Sequence, residues 1–245
     1  MVPYERQQRI LEILKEKDFI KIDELHSFIP NVSISTLRRD IKGLESSNQI
    51  ISLSGGAIKI HSKTSEVPIS KKSTLNVQEK RYIAKLAALQ INEEETIYVD
   101  SGSTCTFLLE EILSKKINVV TTNTNVLNLG VEIRANITLL GGEYNKEISS
   151  LSGPLAEQNL RKYIFDKSFV GANGVDTKYG ITTPSIQESS KKKVILEQSK
   201  ETYFLCDSSK YHVSSTVKVI DLTNVVLVSD KTDEKIAKKI KIIYE

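Results

Sequence analysis

The chain has 245 residues, 39% hydrophobic and 27% charged, room for one large domain plus a small one and ordinary for a globular protein. Its net charge of +3 is too small to argue by itself for a nucleic-acid partner, and no apolar run approaches the ~20 residues of a membrane span. No signal-peptide pattern opens the chain, two cysteines (Cys105, Cys206) lack metal or redox spacing, and the histidines (His26, His61, His212) are scattered, so a cytoplasmic protein with reduced thiols, no metal and no cofactor is expected.

Three short helices come first. Residues 4–16 place Ile10, Leu11, Ile13 and Leu14 on one apolar face. Residues 23–29 start at Asp23, a good cap, bury Leu25, Phe28 and Ile29, and end at Pro30-Asn31. Ser33 caps a third helix running to about residue 46, with Ile34, Leu37, Ile41 and Leu44 inward. Its other face shows Ser35, Thr36, Arg38, Arg39 and Lys42. Two β runs, 49–53 and 57–60, join through Ser54-Gly55-Gly56 as a hairpin.

Helix, helix, four-residue turn, helix and hairpin is the order of a winged helix-turn-helix, whose later helix enters a major groove. Ser, Thr, Arg and Lys are the types that bond phosphates and base edges, so Ser33, Ser35, Thr36, Arg38, Arg39 and Lys42 are the candidate DNA-binding residues of a domain spanning 1–60. A plain three-helix bundle also carries Arg on its surface. Residues 1–60 hold nine Lys/Arg against eight Asp/Glu, so the basic charge is local to the third helix. A single copy should bind weakly, and a homo-oligomer, dimer or tetramer, is expected.

Residues 61–77 show no apolar periodicity and contain Pro68; they read as a linker or domain-crossing segment whose lysines, Lys71 and Lys72 among them, are solvated, a specific contact to DNA being the alternative. From residue 78 helices and strands alternate. A helix at 78–90 buries Ile83, Leu86 and Leu89; strands near 96–99, 117–121, 137–140, 167–170 and 202–206 each end in a polar loop. Helices fall near 104–113, 153–162 and 186–199, and strands at 217–220 and 225–228 precede a last helix at 233–239. Such alternation argues for a mainly parallel sheet with helices on its faces, residues 78–245 forming one α/β domain.

Parallel strands put their loops on one edge, where open α/β folds bind ligands. The stretch Ile-Tyr-Val-Asp-Ser-Gly-Ser-Thr, 97–104, is a strand, a turn and a helix start: Gly102 lets backbone approach closely, Ser103 and Thr104 add hydroxyls beside free N–H groups that favour an anion, and Asp100 suits sugar hydroxyls. A polyol carrying a phosphate fits that mixture; an ordinary turn with Thr104 as its cap is the bland reading. Lys192 and Lys210 supply charge, Thr122, Asn123 and Asn173 neutral donors, Asp176 and Glu188 acceptors. Glu188 and Lys192, at i and i+4, also fit a surface ion pair, and Gly141-Gly142 fit a plain turn.

Both halves resemble one family. Glu5-Arg6-Gln7-Gln8-Arg9-Ile10-Leu11, Val32-Ser33 with Thr36-Leu37-Arg38-Arg39-Asp40, and Gly55-Gly56-Ala57 are similar to the N-terminal signature of the DeoR family of bacterial transcriptional regulators. The family usually carries basic residues just before the paired glycines; this chain has Ile50, Ile51, Ser52, Leu53 and Ser54. The loops 100–104, 122–123, 140–143, 153–156, 165–167, 171–176, 180–184 and 207–210 resemble the family's sensor domain, a fold similar to ribose-5-phosphate isomerase and the CoA-transferases. That resemblance implies a phosphorylated sugar as effector, held by Asp100, Gly102, Ser103, Thr104, Thr122, Asn123, Gly141, Gly142, Asn173, Asp176, Glu188, Lys192 and Lys210. Ser189, Ser190 and Lys191 replace residues that are usually less basic.

The expected function is therefore a repressor of a carbohydrate operon that binds double-stranded operator DNA and is modulated by a sugar phosphate. The alternative is an isomerase on the same fold, with Asp100, Asp176 or Glu188 as the base that removes a carbon-bound proton. An isomerase does not need the N-terminal module, so no enzyme is expected.

Overall fold

The computed structural model describes residues 3–17, 19–46, 49–53, 55–60, 68–223 and 225–245. The chain divides into two compact units, Met1–Lys63 and Thr64–Glu245.

The first unit holds α1 (Pro3–Glu16), β1 (Ile20–Lys21), α2 (Ile22–Phe28), α3 (Ile34–Ser46), β2 (Ile50–Leu53) and β3 (Ala57–Ile60). Ile10, Ile13, Leu14, Leu25, Leu37, Ile41 and Leu44 meet Ile50 and Ile58 in one core. β2 and β3 pair antiparallel as the expected hairpin, and β1, which the sequence did not announce, adds a third strand against β3. A two-residue strand is too short to show an alternation. Lys21, not Asp23, occupies the cap of α2, and Asp23 sits in its first turn. Phe28 and Ile34 are corrected too: they flank the turn between α2 and α3 and stay 46% and 38% exposed. Ser33 does cap α3, accepting from the Thr36 amide at 3.2 Å. Arg6 clamps α1 to α3 by donating to both oxygens of buried Asp40, at 2.7 and 3.2 Å.

In the second unit part of the expected linker is helical. Its residues 61–67 lie outside the described residues, but α4 (Ile69–Lys72) forms one helical turn. Then come α5 (Val77–Ala88), β4 (Thr96–Val99), α6 (Ser103–Ile112), β5 (Asn118–Thr121), β6 (Asn136–Leu139), β7 (Glu143–Asn145), β8 (Ser150–Ser152), α7 (Pro154–Leu160) and β9 (Phe165–Gly171). β10 (Gly174–Asp176), β11 (Gly180–Thr183), α8 (Ile186–Glu197), β12 (Ser199–Leu205), β13 (Val217–Ile220), β14 (Val226–Val228), α9 (Glu234–Ala237) and β15 (Lys241–Ile243) complete it.

Seven strands form the main sheet in the order β15-β14-β12-β9-β4-β5-β6, every pair parallel. Alternate residues feed opposite faces. Ile97, Val99, Val119, Phe169 and Leu205 pack under α5 and α6. Tyr98, Val120, Val170, Phe204 and Leu227 pack with α8 and with Leu160 and Ile236 on the other side. Leu89 lies one residue beyond α5 and is 77% exposed rather than buried. The hairpin β7–β8 and the three-stranded sheet β10-β11-β13 stand apart from the main sheet.

Candidate functional site

Because the sheet is parallel, the carboxyl ends of β4, β9 and β12 open on one edge. A cavity of about 80 Å³ lies there, lined by residues 101–105, 171–173 and 205–207 at the ends of those strands. Lys72, Lys80, Ile148, Thr183, Glu188, Lys192 and Lys210 complete its wall. Gly102, at φ +113°, takes a backbone conformation a side chain would strain, and the turn sets the first residues of α6 in the wall. First-turn N–H groups of a helix lack partners within it and attract an anion.

Beneath that wall lies a buried ionic cluster. Lys192 donates to one oxygen of Asp100; Lys191 lies 3.3 Å from the other and 3.0 Å from Glu188. Lys191 also donates to Ser150 Oγ at 2.7 Å and Ser101 Oγ at 3.2 Å. Burial pushes the Asp100 carboxyl up, but the charges of Lys192 and Lys191 prevail and hold it below the usual carboxylate range. Burial acts against the Lys192 ammonium, and Asp100 and Glu188 more than offset it, so Lys192 is raised. Across the cavity, burial lowers Lys210 despite the opposing charge of Asp207. Burial also lowers Lys80, to about 8. Lys80, Lys191, Lys192 and Lys210 stand with Asp100, Glu188 and Asp207, four lysines to three carboxylates, and Lys72 is a further lining lysine.

The thirteen effector residues expected from sequence divide three ways. Gly102, Ser103, Thr104, Asn173, Glu188, Lys192 and Lys210 line the cavity. Asp100, Thr122 and Asn123 are fully buried behind it: Thr122 shares a 2.6 Å bond with the Tyr98 hydroxyl, and Asn123 donates to Thr106 Oγ1 at 3.0 Å. Gly141, Gly142 and Asp176 are not among the lining residues. Gly142 packs so closely that a Cβ there would lie 2.6 Å from the Ser152 carbonyl oxygen. Asp176 closes the β10–β11 turn by accepting from the amides of Lys178 and Tyr179. The Glu188–Lys192 surface pair does not form; Glu188 pairs with Lys191 and Lys192 with Asp100, all buried.

Lys72, Lys80 and Asp207 belong to the cavity wall without having been singled out as ligand residues. Lys80 sits in the polar first turns of an amphipathic helix, where a lysine reads as solvated; Lys72 falls in a stretch read as linker.

In the first unit Ser33, Ser35, Arg38, Arg39 and Lys42 are exposed and Thr36 half-buried, all within or at the start of α3. Among the described residues Arg38, Arg39 and Lys42 form no salt bridge. The surface therefore presents cations that no described residue neutralises through a salt bridge.

A helix-turn-helix unit joined to a parallel α/β unit with a cationic cavity defines a two-part, ligand-responsive class of protein. Residues 6–63 match the DeoR-like helix-turn-helix domain, and residues 75–231 match the DeoR C terminal sensor domain. The chain belongs to the DeoR family of transcriptional regulators. It is 33% identical to the HTH-type transcriptional regulator FruR of Bacillus subtilis, over 96% of this chain and 93% of that one. It is 31% identical to the regulator GolR of Listeria innocua, over 97% and 93%, and 30% identical to a putative aga operon transcriptional repressor of Escherichia coli, over 91% and 84%. Among solved structures it is similar to ribose 5-phosphate isomerase A of Methanocaldococcus jannaschii, with a TM-score of 0.41 and 17% identity over 56% of this chain and 55% of that one. Among the described residues no helix is long and apolar enough to cross a membrane.

Proposed function

We propose that the protein is a repressor of a carbohydrate-utilisation operon, that α3 reads the operator, and that a phosphorylated sugar in the cavity modulates that binding. The lysines Lys80, Lys192 and Lys210, on the same cavity wall as the first residues of α6, carry this reading. A phosphate monoester near neutral pH is close to a dianion and suits a wall rich in lysine. Glu188, Asn173 and Thr183 on the same wall offer acceptors and donors to sugar hydroxyls. A relative named as a putative aga operon transcriptional repressor supports the repressor class.

The test is an operator-binding titration with and without a panel of sugar phosphates, for the parent and Lys210→Ala. Lys210 makes no hydrogen bond through its ammonium with a described residue, so truncation leaves no described partner stranded. The variant should bind operator like the parent and respond to the phosphosugar only at roughly ten- to hundredfold higher concentration, since a charge-assisted contact is worth about 1.5–3 kcal/mol. An unchanged response would place the ligand elsewhere.

A further inference from the structure

One cavity lysine is committed to main chain rather than to a carboxylate. Lys80 is 5% exposed, and its ammonium donates to the carbonyl oxygen of Lys72, the last residue of α4, and to that of Leu75 at 2.6 Å. Among the described residues it forms no salt bridge; Asp207 attracts it at longer range while Lys210 and Lys72 repel it. A buried charge held by carbonyl dipoles, with its carboxylates only at longer range, is poorly compensated. An ammonium has three N–H donors, and two are engaged here.

We propose that Lys80 binds the effector's phosphate and in doing so releases α4, so that occupancy of the cavity is transmitted to the segment leading to the DNA-reading unit. The proposal rests on the phosphosugar reading above and adds the residue that senses the ligand and the element that responds. A phosphate dianion is a stronger acceptor than a peptide carbonyl, because bonds to an ionised acceptor are shorter and about twice as strong. Lys72 and Lys80 both line the cavity, so the competing acceptor arrives beside the bonds it displaces.

α4 is suited to respond. At four residues it is a single turn, too short to hold itself. One end is fixed by the Ile69 amide on the Glu147 carbonyl, next to cavity-lining Ile148; the other is fixed by Lys80. The turn after it is tied to the loop of Lys210 through Asn76 Nδ2, which donates to Asp207 Oδ1 at 2.9 Å. In the chain, α4 follows residues 61–67, which join it to the first unit. Lys192, by contrast, is already neutralised by Asp100 and has no backbone segment to release.

The experiment uses the full chain with inorganic phosphate as the probe. Thermal melting reads binding, and hydrogen exchange at the amides of Lys71, Lys72, Ser73 and Thr74, all donors inside α4 and its following turn, reads release. Phosphate should raise the melting temperature of the parent and speed exchange at those amides by roughly tenfold. Lys80→Met, which keeps the aliphatic stem, should exchange fast at α4 without phosphate and change no further with it. Lys210→Ala should need more phosphate but reach the parent's exchange rate at saturation. Phosphate binding with α4 exchange unaltered would overturn the latch and leave the effector reading standing. No melting shift with phosphate in the parent would overturn both. The parent's own response decides between these outcomes even if Lys80→Met fails to fold.

Discussion

Lys80 and Lys210 share a wall, and burial lowers both, so protonation of the cavity is part of ligand binding. The direction follows from the charges. A dianion favours protonated lysines, so phosphosugar affinity should hold at neutral pH and fall as pH rises through about 8, where Lys80 loses its proton. Lys210, lowered in the same sense, steepens that fall. Calorimetric titration at pH 7 and pH 9 measures it, and Lys80→Met should flatten the profile. In the absence of ligand the stability effect runs the other way. Folded Lys80 gives up its proton at about 8, below the ordinary lysine value, so between the two the unfolded chain holds more protons and stability rises with pH. Asp100 gives the acid-side counterpart. Its folded value is depressed, so its contribution is full above the ordinary carboxylate range and is lost as pH falls through the lower folded value. Asp100→Asn leaves two buried ammonium groups short of a counter-charge and should cost about 3–5 kcal/mol. Denaturant melts at pH 7 test that figure, and the variant should be less sensitive than the parent to acid below about pH 4.

At the level of elements, α3 and α8 show what a sequence can and cannot disclose. α3 has apolar residues three and four apart with cations opposite, and both its span and its exposed face were legible. Arg38→Ala or Arg39→Ala should weaken operator binding by roughly 1–3 kcal/mol for a bidentate base contact, or uniformly across sequences with a shallower salt dependence for a phosphate contact. Operator titrations at several salt concentrations, with folding checked by circular dichroism, separate the two. Full operator affinity in the double variant would rule α3 out as the reader. α8 was legible as a helix but not as a core element. It buries Glu188, Lys191 and Lys192 beside Val194 and Ile195, so charged residues stand where a stripe of apolar ones marks the inner face. The pairing of Lys192 with Asp100 spans 92 positions, beyond the reach of any local spacing rule. The buried strands β4, β5, β9 and β12 were readable as apolar runs, whereas β7, β10 and β15, three residues each, are held by partners rather than by their own pattern.

For the whole molecule, the near balance of charge in the first sixty residues makes assembly a requirement of the proposed function. Two or more copies presenting their α3 helices to repeated or inverted half-sites would add their weak affinities. Light scattering at micromolar concentration, with and without operator, should find a dimer or larger; monomer under both conditions would contradict this. The enzyme alternative has an equally direct check: a panel of pentose and hexose phosphates should show binding without turnover.

The order of strands across the main sheet bears on how the protein is made. β4 sits between β5, which follows it closely, and β9, which begins about seventy positions later; β12, β14 and β15 come later still. The cavity wall spans Lys72 to Lys210, so it does not exist until nearly all of the chain has left the ribosome. The first unit is complete by residue 63, and domains generally fold as units from the N-terminus during synthesis. Each nascent chain thus passes through a period with a folded DNA-reading head and no receptor to govern it. A ribosome stalled late in the message, or a nonsense mutation within the sheet, would leave a product of that kind: a single head, weak on DNA by itself and without a receptor.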